Sequence, residues 1–327
     1  MVRPDGEGPN PVPSYHPVKR RMSIAFLFPG QGSQSVGMGQ DIAAQFDVAR
    51  TTFAEANDTL GWDVTQLCFN GPKGRLDQTE FTQPALLTVS VAILRCLGDT
   101  GGRCAYVAGH SLGEYTALVA AGAISFPDAL RLVQLRGRLM QAAVPPGEGG
   151  MAAVIGLNAA TIENICFEAS DVVAANLNAP DQIVVAGRTE GIMRALDLVK
   201  KKGGRGIRLS VSVPSHSPMM APVCAPLSDA LDQIDGRDLA MPLVNNKTAR
   251  EVTTWVSAKI GLVEQVVSPL LWEASMRRLR TLGVDRFVEI GPGRVLSGLM
   301  KKIDPSAAVL NVEDAEGVRA LRGHLGF

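Results

Sequence analysis

The feature that most constrains the fold is a short apolar segment that ends in a Gly-x-Ser-x-Gly turn. Residues 104–108 are mostly apolar, the turn is Gly109-His110-Ser111-Leu112-Gly113, and residues 112–121 are helix-forming. A strand, a sharp turn and a helix in this order are the context that a nucleophile elbow requires. Such matches also occur by chance, but the flanking elements favour the elbow. We therefore predict that the Ser111 hydroxyl is raised above a sheet, with the N–H of Leu112 facing the atom under attack.

Apolar and helical segments alternate from residue 23 onward. The pattern predicts strands over residues 24–28 and 104–108, and helices over residues 84–97, 112–121 and 127–142. Strands that alternate with helices indicate βαβ units and therefore an α/β fold with a mostly parallel sheet. The helix over 84–97 is interpreted as amphipathic, so no apolar run is expected to span a bilayer.

A turn-rich stretch, residues 144–150, separates this part of the chain from a segment with a different order of elements. There the pattern predicts a strand, a helix, two strands, a helix and a strand, over residues 151–155, 159–170, 172–176, 182–186, 190–201 and 205–211. This β-α-β-β-α-β order is the ferredoxin-like arrangement. A helix over 218–234 and a strand–turn–helix over 286–302 then resume the alternation of strands and helices that precedes residue 144. We predict a small ferredoxin-like subdomain (147–211) inserted into a large α/β catalytic subdomain (22–146 and 212–327).

Composition excludes several classes of function. Lys+Arg and Asp+Glu both count 32, so no net charge favours nucleic acid or an anionic membrane as a partner. Five scattered cysteines without a Cys-x-x-Cys pair indicate reduced thiols in the cytoplasm and no metal site. Residues 1–21 hold five prolines and lack an apolar h-region, so they are expected to be a disordered N-terminal extension rather than a secretory signal.

A serine nucleophile needs a general base, and histidine is the usual one near neutral pH. The chain has four histidines, of which His16 and His324 lie near the chain ends. His110 is adjacent to Ser111, and neighbours in an extended backbone point to opposite sides. Elimination therefore leaves His216 as the predicted base. Asp285, Glu289 and Asp304 are not singled out as its orienting acid, and a backbone carbonyl could orient the imidazole equally well.

A second glycine-rich turn, residues 28–34, closes the first predicted strand. It resembles part of a dinucleotide fingerprint, but Ser35 stands where the third glycine belongs and no Lys-Ser/Thr pair follows for a phosphate loop. A nucleotide site is therefore not expected, and no cofactor is predicted. The loop could be a tight turn alone, or it could supply the second N–H group of an oxyanion hole.

Six blocks of sequence together resemble the malonyl-CoA:acyl carrier protein transacylase family. They follow that family's order over about residues 23–305 and read Pro29-Gly30-Gln31-Gly32-Ser33-Gln34, Gly109-His110-Ser111-Leu112-Gly113-Glu114-Tyr115, Arg136-Gly137-Arg138-Leu139-Met140-Gln141, Asn176-Leu177-Asn178-Ala179-Pro180 with Gln182, Pro214-Ser215-His216, and Glu289-Ile290-Gly291-Pro292-Gly293. The resemblance implies a hydrolase-like large subdomain and a ferredoxin-like small one. It also implies that Ser111 is the acylated nucleophile, His216 the general base, and the N–H groups of Gln31 and Leu112 the oxyanion hole.

Two further residues acquire roles from the resemblance. Arg136 corresponds to the arginine that binds the free malonyl carboxylate, and Gln265 falls where the family's backbone carbonyls orient the histidine. Ser268 replaces the Asn that the family commonly has before Pro269, and this departure bears on the orienting carbonyl. Arg136 also has a physical rationale, because a planar guanidinium binds carboxylate through two parallel hydrogen bonds that lysine cannot reproduce. Arg138, two residues along the helix, is expected on a different face.

The resemblance implies an enzyme of fatty acid synthesis that moves malonyl from malonyl-CoA to the phosphopantetheine thiol of acyl carrier protein through a malonyl-serine intermediate. Carrier proteins of this pathway are acidic, so a basic surface near the site is expected. The candidates are Lys200-Lys201-Lys202 with Arg205 and Arg208, or Arg277, Arg278 and Arg280 with Lys301 and Lys302. Three alternatives remain open: an acyltransferase of a polyketide pathway, a serine thioesterase or esterase, and a non-catalytic carrier-protein-binding homologue.

Overall fold

Two β-sheets organise the part of the chain that the structure describes. The structure is a computed structural model, and it describes residues 23–98, 104–209, 211 and 213–325, so the N-terminal extension predicted over 1–21 lies outside the described residues. In chain order the strands are β1 (Ile24–Phe28), β2 (Cys104–Gly109), β3 (Gly149–Ile155), β4 (Val172–Ala179), β5 (Gln182–Arg188), β6 (Arg205–Arg208), β7 (Leu243–Val244), β8 (Glu251–Val252), β9 (Arg286–Ile290) and β10 (Ala308–Val312).

Helices cover both sheets. They are α1 (Gln40–Gln45), α2 (Asp47–Leu60), α3 (Val64–Asn70), α4 (Lys73–Leu76), α5 (Thr79–Leu97), α6 (Gly113–Ala120), α7 (Phe126–Ala142), α8 (Ala159–Ala169), α9 (Thr189–Lys201), α10 (Ala221–Asp232), α11 (Trp255–Val267), α12 (Trp272–Thr281), α13 (Val295–Ile303) and α14 (Ala315–Leu325). A 3₁₀ turn over Pro218–Met220 precedes α10, so the helix predicted over 218–234 is divided and ends earlier.

The large sheet is mixed and mostly parallel, in the order β10-β9-β1-β2-β7-β8, with only the pair β7–β8 antiparallel among the described strands. Its central strand β1 is buried along its whole length. Phe26 and Phe28 pack into the core formed with helices α2, α5 and α7, and Leu27 packs into the core formed with α12 and α13. Burial on both faces explains why this strand reads as a continuous apolar run.

The small sheet is antiparallel throughout, in the order β4-β5-β3-β6. Helices α8 and α9 cover one face, where Ile162, Val185 and Val199 are buried together. The other face carries a small apolar cluster that includes Met151 and Val184 and borders a cavity. The elements follow the predicted β-α-β-β-α-β order, but β6 ends at Arg208, before the predicted end at residue 211.

Helix α5 differs from its prediction in both extent and character. It begins at Thr79, five residues before the predicted start, and Pro84 lies inside it. Almost all of its residues are buried, so the amphipathic interpretation is wrong. By length and composition this helix could cross a membrane, which contradicts the expectation that no apolar segment is long enough. Most of the helix is buried within the protein, as in the core helix of a soluble protein. Several elements were not predicted from the periodicity of the sequence, namely α1–α4, α11, α12, α14, β7, β8 and β10.

The backbone segments at the elbow approach one another so closely that a side chain would not fit between them. A Cβ at Gly109 would lie 1.9 Å from the carbonyl carbon of Gly113, and one at Gly113 would lie 2.1 Å from the carbonyl oxygen of Phe28. Because these neighbours are backbone atoms, they cannot move aside as a side chain could. The two glycines therefore allow β1, β2 and the start of α6 to meet at one point.

We expect Gly113→Ala to lower the free energy of unfolding by about 1–3 kcal/mol, the range for forcing an extra carbon into a packed interior. Gly298→Ala is the control, because Gly298 is in helix α13 and a Cβ there would meet open space. That change should raise stability by about 0.5–1 kcal/mol. Urea unfolding of both variants measures the difference. Similar stability of the two variants would contradict the close approach described above.

Candidate active site

Ser111 lies at the top of the elbow, between strand β2 and helix α6, in a strained backbone conformation. Its φ is 53°, in the left-handed region that non-glycine residues seldom adopt. The preceding N–H, that of His110, donates to the carbonyl of Phe28 at 2.9 Å, which ties the elbow to the end of β1. Strain of this kind persists only where surrounding contacts determine the conformation. The hydroxyl therefore has a defined position.

Two amide side chains from distant parts of the sequence hold the backbone of the elbow. The Oδ1 atom of Asn246 accepts from the N–H of Ser111 at 2.8 Å, and its Nδ2 donates to the carbonyl of Gly109 at 2.7 Å. The Nε2 atom of Gln265 donates to the carbonyl of Ser111 at 3.2 Å. The N–H and carbonyl groups of Ser111 and the carbonyl of Gly109 are thus paired. Asn246 is not predicted from the sequence, where its only signal is its place just after the short apolar segment that forms β7.

His216 lies against the serine hydroxyl. Its Nε2 is 2.8 Å from the Oγ of Ser111, and its Nδ1 is 2.7 Å from the backbone carbonyl of Gln265. A carbonyl only accepts, so Nδ1 carries the proton and Nε2 is free to accept from the hydroxyl. Of the three acids weighed as orienting groups, Glu289 accepts from N–H groups at the start of α13, and Asp304 pairs with Arg280.

The imidazole of His216 is neutral over the ordinary pH range. The pKa of His216 is lowered to about 3, first by burial and then by the positive charge of Arg136, while the hydrogen bond to the carbonyl of Gln265 acts in the opposite direction. The φ of His216 is 59°, so it also adopts a conformation that few residues tolerate. A neutral, buried and oriented imidazole is in the state required of a general base.

The remaining histidines are placed elsewhere. The Nε2 of His110 is 2.8 Å from the Oδ1 of Asn178, and the His110 ring packs edge-on against Trp272. His324 lies in the last turn of α14, bonded to the carbonyl of Ala320, and His16 lies outside the described residues. Neither His110 nor His324 contacts the serine hydroxyl.

Arg136 is buried beside the serine, although it lies on a helix that is otherwise half exposed. It is 1% exposed, and its Nη2 donates to the Oγ of Ser111 and to the Oε1 of Gln265, both at 3.0 Å. Its Nη1 donates to the Oε1 of Gln83 at 2.9 Å. Arg138 is exposed and pairs with Glu80, so the two arginines lie on different faces as expected.

The environment of Arg136 is suited to an anion. Its protein partners are two amide oxygens and a hydroxyl, and no Asp or Glu of the described residues forms an ion pair with it. Burial lowers its pKa, but a guanidinium stays charged in proteins. A buried cation without a counterion is costly. A ligand that brings a carboxylate to this position would therefore be stabilised. Gln83 is not predicted from the sequence. Its only signal there is that a polar residue occurs in the otherwise apolar helix α5.

A cavity of about 390 Å³ opens in front of these groups, between the two sheets. Its lining includes Gln31 and Leu112 on the large-sheet side and Met151 and Val184 on the small-sheet side. The backbone N–H groups of Gln31 and Leu112 donate no hydrogen bond to another described residue. The side chain of Gln31 donates to the Oγ1 of Thr79 at 3.3 Å. Both residues line the cavity, so these two N–H groups are candidate donors to a carbonyl oxygen bound there.

A buried carboxyl group completes the polar surroundings of the elbow. Glu114 accepts from the backbone N–H of Asn246 at 2.6 Å and from the Nε2 of Gln265. Burial raises its pKa, while those two donors and the charge of Arg136 act in the opposite direction. Within the described residues, no group of three or more His, Cys, Asp or Glu side chains could hold a metal ion.

Comparisons with known proteins agree on one family. The family model described as acyl transferase domain matches residues 25–322. The malonyl CoA-acyl carrier protein transacylase of Escherichia coli strain K12 is 46% identical over 285 residues, which are 86% of this chain and 92% of that protein. The structure of that transacylase from Coxiella burnetii is 41% identical with a TM-score of 0.91, and covers 94% of this chain and 99% of its own. A malonyl-transacylase in complex with a type II PKS acyl-carrier protein is 42% identical with a TM-score of 0.90, covering 92% and 99%.

The low pKa of His216 predicts how the reactivity of Ser111 depends on pH. Between pH 8 and pH 5 the imidazole should stay neutral, because protonation becomes significant only as the pH approaches the lowered pKa of about 3. Labelling of Ser111 by a fluorophosphonate should therefore not decline around pH 6.5, where an ordinary histidine is half protonated. Mass spectrometry of the labelled protein measures the rate, with Ser111→Ala as the unlabelled control. A midpoint near pH 6.5 would show that the imidazole titrates as if exposed.

Proposed function

The chain belongs to the acyl transferase domain family, and we propose that Ser111 carries the acyl group during transfer. The protein transfers malonyl from malonyl-CoA to acyl carrier protein and so supplies fatty acid synthesis. One observation carries the proposed mechanism: the Oγ of Ser111 is 2.8 Å from the Nε2 of His216 and 3.0 Å from the Nη2 of Arg136. A base and a carboxylate-binding cation therefore contact the same nucleophile.

The first half of the reaction forms the acyl-enzyme. His216 takes the proton of Ser111 as the hydroxyl oxygen attacks the thioester carbonyl of malonyl-CoA. The N–H groups of Gln31 and Leu112 bind the oxyanion that forms. The carbon–sulfur bond then breaks, and His216 returns the proton to the sulfur, so that CoA leaves as a thiol. The carbonyl of Gln265 holds the imidazolium in place through its bond to Nδ1.

The second half reverses these steps with a new thiol. The phosphopantetheine thiol of acyl carrier protein gives its proton to His216 and attacks the malonyl-serine ester. Its sulfur acquires the malonyl group, and Ser111 recovers its proton from the imidazolium. The acyl-enzyme must survive between the two halves, so water has to be excluded from the cavity.

Arg136 selects the acyl group. Two parallel hydrogen bonds from its guanidinium can bind the free carboxylate of malonyl, and this charge-assisted pair offsets the cost of the buried cation. An acetyl group leaves the cation without an anion. A serine thioesterase or esterase has no use for such a residue, so Arg136 favours the transferase over those alternatives.

We assign the large sheet and its helices (22–146 and 212–327) to a hydrolase-like subdomain and residues 147–211 to a ferredoxin-like one. The mostly parallel sheet with the elbow at the carboxyl end of β2 supports the first assignment. The antiparallel order β4-β5-β3-β6 with two helices on one face supports the second. The cavity is lined by residues of both, which supports a substrate site at the junction of the two proposed subdomains.

The carrier protein is proposed to dock on the basic group at residues 200–208. In the other group the three arginines are neutralised, since Arg277, Arg278 and Arg280 pair with Glu273, Glu251 and Asp304, and only its two lysines form no ion pair with a described residue. Lys200–Lys202, Arg205 and Arg208 form no ion pair with a described residue. A carrier of polyketide synthesis is the second candidate partner, favoured by the similarity to a malonyl-transacylase bound to a type II PKS carrier protein. The cytoplasm is the proposed location, supported by five free cysteines.

Intact-mass spectrometry after brief mixing with malonyl-CoA tests the acyl-enzyme. One malonyl adduct is expected, located on Ser111 by peptide mapping, and discharged when holo acyl carrier protein is added. The adduct should be absent from Ser111→Ala. An adduct that survives this substitution, or that maps to a cysteine, would refute the role of Ser111.

Replacing Arg136 tests the basis of selectivity. Arg136→Ala should reduce kcat/KM for malonyl transfer on the order of 10²- to 10³-fold, as when one partner of a buried charge pair is lost. Acetyl-CoA should be used equally well or better, because the variant has no unpaired cation. Arg138→Ala, on the exposed face of the same helix, is the control and should leave kcat/KM unchanged for both malonyl-CoA and acetyl-CoA. Equal losses for malonyl and acetyl in Arg136→Ala would mark the arginine as structural.

A further inference from the structure

The Gln265 side chain connects Arg136 to a buried carboxyl group. Its Oε1 accepts from the Nη2 of Arg136 at 3.0 Å, and its Nε2 donates to Glu114 and to the carbonyl of Ser111. Arg136 has no direct ion pair among the described residues, so its link to a carboxylate runs through this amide. A primary amide is asymmetric, and its acceptor faces the guanidinium in only one of two orientations.

The surroundings of Gln265 determine which orientation is adopted. Its Nε2 side faces three oxygen atoms, those of Glu114, the Ser111 carbonyl at 3.2 Å and the Asn246 Oδ1 at 3.4 Å. After a flip, Oε1 would face these acceptors and the NH₂ group would face the Arg136 donors. The neutral acceptors oppose such a flip weakly, whereas the Glu114 carboxyl group opposes it strongly, because each of its two oxygens already accepts from an N–H donor.

Glu114 is the acceptor with the greatest influence on this amide. It is fully buried in the first turn of α6, and the N–H of Asn246 engages its other oxygen at 2.6 Å. Both of its oxygens therefore accept from N–H donors. Glu114 forms no hydrogen bond with the Ser111 hydroxyl or the Arg136 guanidinium, so its hydrogen-bonded link to Arg136 runs through Gln265, while its charge also acts on Arg136 through space.

We propose that Glu114 is a positioning residue for acyl selectivity, which orients the Gln265 amide so that its oxygen holds Arg136 ready for the malonyl carboxylate. The proposal rests on the proposed function of Arg136. It assigns Gln265 two separate duties: its backbone carbonyl orients His216, and its side chain, under the control of Glu114, orients Arg136.

Replacing Glu114 by Gln creates a conflict between donors. If the new amide presents its oxygen to the N–H of Asn246, its NH₂ group faces Gln265, which must flip and turn its own NH₂ group toward Arg136. If the new amide is reversed, its NH₂ group faces the N–H of Asn246. Asn246 is then displaced, and its hydrogen bonds to the backbone on either side of Ser111 weaken. The first outcome changes the selection between malonyl and acetyl, and the second would slow both equally.

The test compares rates of adduct formation on Ser111 from malonyl-CoA and acetyl-CoA. In Glu114→Gln the malonyl-to-acetyl ratio should fall about 10- to 100-fold, the size of effect seen for directly coupled neighbours. Glu289→Gln is the matched control, since Glu289 is also buried and accepts from N–H groups, but at the start of α13. It should lower the unfolding midpoint and leave the ratio unchanged. An unchanged ratio in folded Glu114→Gln, or equal losses for both acyl groups, would overturn the proposal.

A double-mutant cycle tests whether the effect passes through Arg136. In an Arg136→Ala background, adding Glu114→Gln should leave the malonyl-to-acetyl ratio where Arg136→Ala alone puts it. A further fall in the double variant would mean that Glu114 acts by another route and would refute the proposal.

Gln265→Met keeps the backbone carbonyl and removes the amide, so it provides a second variant if Glu114→Gln does not fold. The malonyl-to-acetyl ratio of Gln265→Met is expected to fall as it does in Glu114→Gln. A wild-type ratio in Gln265→Met would overturn the proposal. Wild-type protein in the same assay separates this inference from the proposed function. If wild type forms no malonyl adduct on Ser111, the proposed function fails. If wild type forms the adduct and the variants keep its selectivity, only the role of Glu114 fails.

Discussion

The site depends on one physical constraint: the Arg136 guanidinium is buried, and no carboxylate of the described residues is in direct contact with it. Such a cation would be strongly destabilising unless its N–H groups found acceptors. The protein supplies the amide oxygens of Gln83 and Gln265 and the hydroxyl of Ser111, all neutral. These partners accept from Nη1 and Nη2 without cancelling the charge, and Nε has no partner among the described residues. The charge remains available to an anionic substrate. Burial, and after it the positive charge of Arg136, lowers the pKa of His216, so the cation proposed to select the substrate also helps to keep the proposed base neutral.

Two strained residues, Ser111 and His216, meet at the proposed nucleophile, and residues from other segments hold each of them in place. Ser111 and His216 both have positive φ values, and neither is glycine. Asn246 and Gln265 pair the backbone groups around Ser111, and the carbonyl of Gln265 fixes His216. Because four distant segments share one hydrogen-bond network, the loss of a single member is expected to spread beyond its own contacts.

The cavity lies where the two sheets face each other, and each contributes a different kind of surface. The large sheet presents polar, reactive groups at the carboxyl ends of β1 and β2, the usual place for a site in a parallel sheet. The small sheet presents Met151 and Val184, which are apolar. An apolar wall opposite a charged one suits a reaction in which an acyl-serine ester must persist without hydrolysis.

Much of the fold and part of the site could be read from local sequence. The elbow at Ser111, the alternating elements of the large sheet and the order of elements in the small one follow from short-range periodicity and turn residues, which act within a few positions. The sequence by itself also determined the choice of His216, since the chain has only four histidines. It misjudged α5, because Pro84 suggested a helix start and the helix is buried on almost every side. Asn246, Gln83 and the link from Glu114 through Gln265 to Arg136 were decided only by the tertiary structure. These contacts join residues 53 to 151 positions apart, and hydrogen bonds across such distances leave no local pattern in a chain.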